Sequence, residues 1–209
     1  MEVIRQERKA MTKVVVATRN QGKLKEFRSL LAATGWEVLG LVDAGISSDV
    51  EETGLTFLEN AQQKALAYSQ DTDLPVLADD SGLEVFALGG QPGIHSARYA
   101  GDGAGDPQRI SKLLVELEHA TGGREARFVC ALALARRGRL ILEVEGECRG
   151  LISRAPRGTN GFGYDPVFFF PELGRTYAEL SEGEKNRVSH RAHAVAALLE
   201  LLAAGTELG

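Results

Sequence analysis

Cysteine is scarce. The chain has two in 209 residues, Cys130 and Cys148, each inside an apolar or alternating segment and without metal-ligand spacing. Two such thiols read as reduced core residues, and nothing points to an oxidising compartment. No apolar run approaches the roughly 20 residues needed to span a bilayer. The first ten residues, MEVIRQERKA, lack the apolar centre of a signal peptide. The expected address is therefore the cytoplasm, with no membrane partner. A basic excess is also missing: 24 Lys and Arg stand against 29 Asp and Glu, a formal charge of -5. That balance argues against a general nucleic-acid backbone binder, while leaving room for a local cationic pocket around a small phosphorylated ligand. Neither G-x-x-x-x-G-K-[ST] nor G-x-G-x-x-G occurs, so two common phosphate-binding loops are excluded. There are no repeats and no low-complexity linker.

What is there can bury a substantial core. Residues 11–209 are expected to form one two-lobed domain, with Met1 to Ala10 a disordered extension. Lys13 to Thr18 reads as a buried strand, followed by an amphipathic helix from about Asn20 to Ala33. Trp36 to Leu41 suits a second strand. Thr56 with Glu59 fits a capping box that opens a helix to roughly Gln70. Leu74 to Ala78 reads as a short strand ending in Asp79-Asp80-Ser81-Gly82, with Leu83 to Leu88 pairing back onto it. A Gly-rich functional loop is expected from Gly89 to Asp106, then a helix from Pro107 to His119. Ala126 to Ala135 and Leu140 to Gly150 suggest an antiparallel hairpin turning at Arg137-Gly138. Val167 to Phe170 is a short apolar segment, and a last helix covers roughly Ser189 to Ala203. Without clean βαβ alternation, the expected class is α/β with a long, twisted, mixed sheet.

Several stretches carry chemistry. In TRNQGK, Thr18 to Lys23, a buried strand empties into a helix N-terminus, where free N–H groups and the dipole suit an anion. Asn20 can cap the helix, Gly22 can admit a close ligand, and Lys23 adds a charge that the dipole disfavours. Asp79-Asp80 at a strand tip would repel each other unless a cation such as Mg²⁺ compensated, and Glu51-Glu52 could converge on the same ion. In GFGYDP, Gly161 to Pro166, the glycines leave Phe162 and Tyr164 free to offer flat faces to a planar base. Lys185, His190 and Arg191 are expected to open the last helix, with Ser189 as its cap. Lys64, read alone, is an ordinary helix-surface lysine. Together these features point to a nucleoside phosphate.

The ordered motifs TRNQGK, EETGLTFLENAQQKA, ADDSGLEV, PGIHSARYAG, GFGYDP and SHR resemble the noncanonical purine nucleoside triphosphate pyrophosphatases, also called inosine triphosphate pyrophosphatases, from about Thr12 to Leu202. The resemblance implies a homodimeric, Mg²⁺-dependent enzyme with its site in a cleft between two lobes. Such an enzyme converts ITP, dITP and XTP to monophosphate plus pyrophosphate. By motif, Thr18, Arg19, Asn20, Gln21, Gly22 and Lys23 would hold the triphosphate, and Lys64 would meet its phosphates. Glu52 and Asp80 would bind Mg²⁺, with Asp80 also accepting the proton of the attacking water. Ser81 would touch the substrate. Phe162, Gly163, Tyr164, Asp165, Lys185, His190 and Arg191 would form the nucleobase side. Arg19 departs from the small residue often found there, His95 stands at a variable position, and Met1 to Ala10 has no counterpart. The rivals are a related pyrophosphatase of unusual pyrimidine nucleotides and a nucleotide sensor without catalysis.

Overall fold

The computed structural model describes residues 12–205, so the expected extension Met1 to Ala10 lies outside the described residues. In chain order the strands are β1 (Lys13–Ala17), β2 (Glu37–Gly40), β3 (Val76–Val85), β4 (Glu125–Arg136), β5 (Arg139–Ile152), β6 (Phe168–Phe170) and β7 (Arg175–Thr176). The helices are α1 (Gln21–Leu30), α2 (Phe57–Tyr68), α3 (Asp106–His119), α4 (Glu182–Val188) and α5 (His190–Ala203). One mixed sheet runs β2-β1-β3-β4-β5-β6-β7, parallel where β1 meets β2 and β3, antiparallel beyond.

The uninterrupted apolar run of β1 follows from its place between two layers of helix. Val14 and Val16 pack with Leu24 and Phe27 of α1 and Leu198 of α5. Val15 and Ala17 pack on the other face with Ala61 and Ala65 of α2. A strand covered on both faces has no solvent side on which to alternate. A third apolar cluster joins the distal ends of β3 and β4, through Leu83 and Phe128, to Ile110 and Leu113 of α3 and to Phe168 and Tyr177.

Two expectations need correction. The segment read as a strand, an acidic turn and a return strand is one continuous ten-residue strand, β3, with Asp79 and Asp80 at its middle rather than at a tip. Every residue from Val76 to Val85 has a partner on β4, from Ala135 to Ala126, and that long ladder overrides the local turn-like composition. The second concerns Lys185, which lies on a separate helix, α4, and does not open the last one. Ser181 and Glu184 form a reciprocal capping box that starts α4, and Ser189 ends it while accepting from Ala192 N–H to start α5. The hairpin forms as expected: Arg137 (φ 51°) and Gly138 (φ 71°) both take the left-handed conformation that a tight two-residue turn requires.

Candidate active site

The cleft of about 610 Å³ is walled by β1, α2, β3, the 94–109 segment, the 162–165 loop and the start of α5. Its first wall is the β1–α1 turn. Thr18 Oγ1 accepts from Asn20 N–H (3.1 Å), and Asn20 Oδ1 accepts from Lys23 N–H (3.1 Å), so Asn20 is the cap. Gly22 serves a different end from the one expected. A Cβ there would sit 2.7 Å from the Phe162 ring, so the missing side chain makes room for that ring rather than for a ligand directly.

The two central carboxylates point to opposite faces of β3, as successive strand residues must. Asp79, 2% exposed, faces α1 and α5, where Lys23 Nζ stands 2.9 Å and Arg191 Nε 3.6 Å away. Burial opposes ionisation of Asp79, but Lys23, Arg191 and Lys64 outweigh it and hold the carboxyl well below its ordinary range. Lys23, odd at a helix N-terminus, therefore answers a buried carboxylate. Asp80 faces α2, where Asn60 Nδ2 donates to its Oδ2 (3.0 Å) and Lys64 Nζ stands 3.5 Å from Oδ1. Its pKa is raised because burial outweighs the attraction of Lys64 and Lys23, with Glu52 adding repulsion. Repulsion between neighbours is thus relieved by geometry, the two carboxylates facing different cations on opposite sides of the strand.

Lys64 is no ordinary surface lysine. It is buried, donates to Glu52 Oε1 at 3.0 Å, and its pKa is raised because Asp80, Asp79 and Glu52 together overcome the burial that would lower it. Glu52 and Asp80 consequently meet at one ammonium, while Glu51 is exposed and off the cleft wall. Two carboxylates against one ammonium leave net negative charge, and both donors are hard oxygens. The pair fits a hard divalent cation that draws its remaining ligands from phosphate and water. Among the described residues no group of three or more His, Cys, Asp or Glu forms a fuller cage.

On the opposite side, Phe162 is half-buried on the cleft wall, with Lys185 Nζ 5.0 Å and Arg191 Cζ 5.4 Å from its ring centroid. Tyr164 does not offer a free face; it is buried and donates its hydroxyl to Ser96 O (2.9 Å). Lys185 lies behind the wall, donating to Glu26 (2.7 Å) and Asp165 (2.5 Å). Arg191 donates to Glu26 and to Ser81 Oγ (2.8 Å). Three buried carboxylates, Glu26, Asp79 and Asp165, are thereby matched by Lys23, Lys185 and Arg191. His190 is buried with its ring stacked on Phe128 (4.6 Å, 11°), and burial together with Arg191 and Lys185 keeps it neutral. Its Nδ1 has no hydrogen-bond partner among the described residues. Gly146 on β5 lets α5 lie directly on the strand, since a Cβ would meet Ala194 N at 2.3 Å and His190 O at 2.5 Å.

Of the residues that the family motifs assign to substrate, catalysis or metal, all but Gln21, Gly22 and Lys185 line this cleft. Arg19 is exposed and donates to the carbonyls of Ser47 (3.3 Å) and Ser48 (2.6 Å), linking the turn to the loop that leads to Glu52. Four residues were not anticipated in roles here: Glu26, Asn60, Asp106 and Arg109. Asn60 had a signal, lying one turn before Lys64 on the same helical face.

The model of the Ham1 family matches residues 14–201. The chain belongs to the Ham1 family. The Ham1 match runs from β1 into α5 and so takes in every wall of the cleft. Among curated proteins, the dITP/XTP pyrophosphatase of Geobacillus kaustophilus is 54% identical over 191 residues, covering 91% of this chain and 94% of that protein. The dITP/XTP pyrophosphatase of Bacillus subtilis is 46% identical over 195 residues, 93% of this chain and 98% of that one. Among solved structures, a HAM1 protein from Coxiella burnetii superposes with a TM-score of 0.84 at 43% identity, over 93% of this chain and all of its own. The Staphylococcus aureus Ham1 protein gives 0.81 at 42% identity, over 92% and 99%.

Proposed function

We propose that this chain hydrolyses the α–β phosphoanhydride of ITP, dITP and XTP, releasing the nucleoside monophosphate and pyrophosphate. It would thereby clear deaminated purines from the nucleotide pool. The observation that carries the reading is the meeting, in one cleft, of a cationic helix start, a Lys64–Glu52–Asp80 cluster and the Phe162 ring. The named activity of relatives at about half identity supports the same reaction.

In this reading the triphosphate lies along Thr18 to Lys23, whose N–H groups and charges orient it. Water attacks the α-phosphorus, its proton passes to Asp80, and the bond to the β-phosphate oxygen breaks. In the metal-free protein burial raises the pKa of Asp80, so its carboxylate is there more basic than an exposed one. Lys64 and Lys23 offset charge gathering on the departing pyrophosphate. Glu52 and Asp80 would hold Mg²⁺, which when bound neutralises phosphate charge and polarises the phosphoryl group.

Phe162 supplies the stacking face. Reading of the 6-carbonyl falls to donors near the start of α5. Because the Arg191 side chain is already engaged with Glu26, Ser81 and Asp79, the first-turn N–H groups and His190 are better placed than that guanidinium. Adenine would set its amino donor against those donors, a mismatch of about 1–3 kcal/mol or more. The reading extends to a cytoplasmic homodimer, which light scattering tests by a mass near twice that of the chain. Among the described residues no helix is long and apolar enough to cross a membrane. A panel of dITP, XTP, dGTP, dATP, dUTP and methylated pyrimidine triphosphates with Mg²⁺, scored for pyrophosphate against orthophosphate, tests the function. Pyrophosphate from dITP and XTP is expected. Orthophosphate, or preference for a pyrimidine, would refute it, and tight ITP binding with no product would indicate a sensor.

A further inference from the structure

The aromatic loop is held at two successive backbone N–H groups by carboxylates from different parts of the chain. Phe162 N–H donates to Asp165 Oδ2 at 2.9 Å, within the loop itself. Gly163 N–H donates at 2.7 Å to Oδ2 of Asp106, 57 residues away at the start of α3. The other oxygen of Asp106 meets Arg109, whose guanidinium donates to the carbonyls of Ala97 (2.8 Å) and Ala104 (2.7 Å). Asp106 and Arg109 both line the cleft.

An acid in a first helical turn gains from the dipole alone. Here, though, α3 has no side-chain cap, and Asp106 directs one oxygen to another element instead. The grip falls on the residue next to Phe162, at Gly163, whose φ of +63° sets the direction in which the loop leaves the ring. The ring itself sits against Gly22 with little free space, so a loop shift would move it off the cleft wall.

We propose that Asp106 is a positioning residue for the nucleobase: by holding Gly163 N–H it fixes the ring of Phe162 where a base stacks. The inference rests on the reading of Phe162 as the stacking face.

The test uses the full chain and two probes, inosine and inorganic tripolyphosphate, as inhibitors of pyrophosphate release from dITP. Asp106→Ala is expected to weaken inosine about tenfold, as loss of a charge-assisted hydrogen bond allows, with tripolyphosphate changed less than about twofold. KM for dITP rises in step while kcat stays near the wild-type value. Asp106→Asn keeps a weaker acceptor and is expected at about a threefold loss for inosine, and it serves if the alanine variant does not fold. Unchanged inosine inhibition in these variants, or equal loss for both probes, would overturn the proposal. Phe162→Ala separates the two readings. If it weakens inosine while the Asp106 variants do not, the positioning role alone fails. If it leaves inosine unaffected, the stacking role fails and the proposal fails with it.

Discussion

On the α1/α5 face of β3, Asp79 is enclosed with Lys23 and Arg191 and its carboxyl is driven well below the ordinary range. On the α2 face, Asp80 shares Lys64 with Glu52 and opens to the cleft, and its carboxyl is driven up. The two residues are adjacent and chemically identical, and both are mostly buried. What separates them is the balance between burial and cations: two cations close around Asp79, whereas the lysine facing Asp80 is divided between two carboxylates. The first arrangement suits an anchor and the second suits the base that the proposed reaction requires, so in that reading one pleat of one strand would supply both scaffold and proton acceptor.

The largest effect is expected from Asp80→Asn, which should lower pyrophosphate release by about 10²–10⁴-fold. Its urea unfolding free energy should stay within about 1 kcal/mol of wild type, since Asn60 and Lys64 keep a polar partner. Asp79→Asn should invert the pattern. It leaves Lys23 and Arg191 against a neutral amide, at a stability cost of about 3–5 kcal/mol by urea titration and a smaller loss of turnover than Asp80→Asn shows.

The pH dependences should also part. In the metal-free protein Asp80 takes up its proton above the 3.8 of an ordinary aspartate, so the charged form that would bind Mg²⁺ and accept the proton is lost first as pH falls. Asp79, with a depressed pKa, contributes stability that is complete above 3.8 and is lost as pH falls through its lower folded value. Turnover measured beside far-UV circular dichroism should therefore fail at a higher pH than the fold does. The smallest effect is expected at the start of α2, which carries Asn60 and Lys64. Thr56 Oγ1 accepts from Glu59 N–H at 3.1 Å, and Thr56→Ala should cost about 1 kcal/mol of stability with kcat nearly unchanged.

Legibility in the sequence followed the range of the forces involved. The β1–α1 unit, the Thr56 and Asn20 caps and the Arg137-Gly138 turn depend on neighbours a few residues away, and all were readable. The Thr56 cap was readable only in part, since Glu59 reaches back to Leu55 N–H rather than closing a box on Thr56. The run through Asp79-Asp80-Ser81-Gly82 looked like a turn because the ladder and cations that keep it extended come from β4, α1, α2 and α5. The same distance hid Glu26, a charge beside the apolar stripe of α1 whose partners, Lys185 and Arg191, lie 159 and 165 residues on. The separate helix α4 was readable in principle, for Ser181 and Glu184 spell a capping box. The cleft residues themselves were legible mainly as motifs in order, since no single one excluded an ordinary surface role.

The division between the neighbouring carboxylates is tested most directly by a carbon NMR titration of their side-chain carboxyls, assigned with Asp79→Asn and Asp80→Asn. Asp80 is expected to titrate above 3.8 while Asp79 stays ionised to well below it. Coincident midpoints, or Asp79 protonating first, would contradict that division.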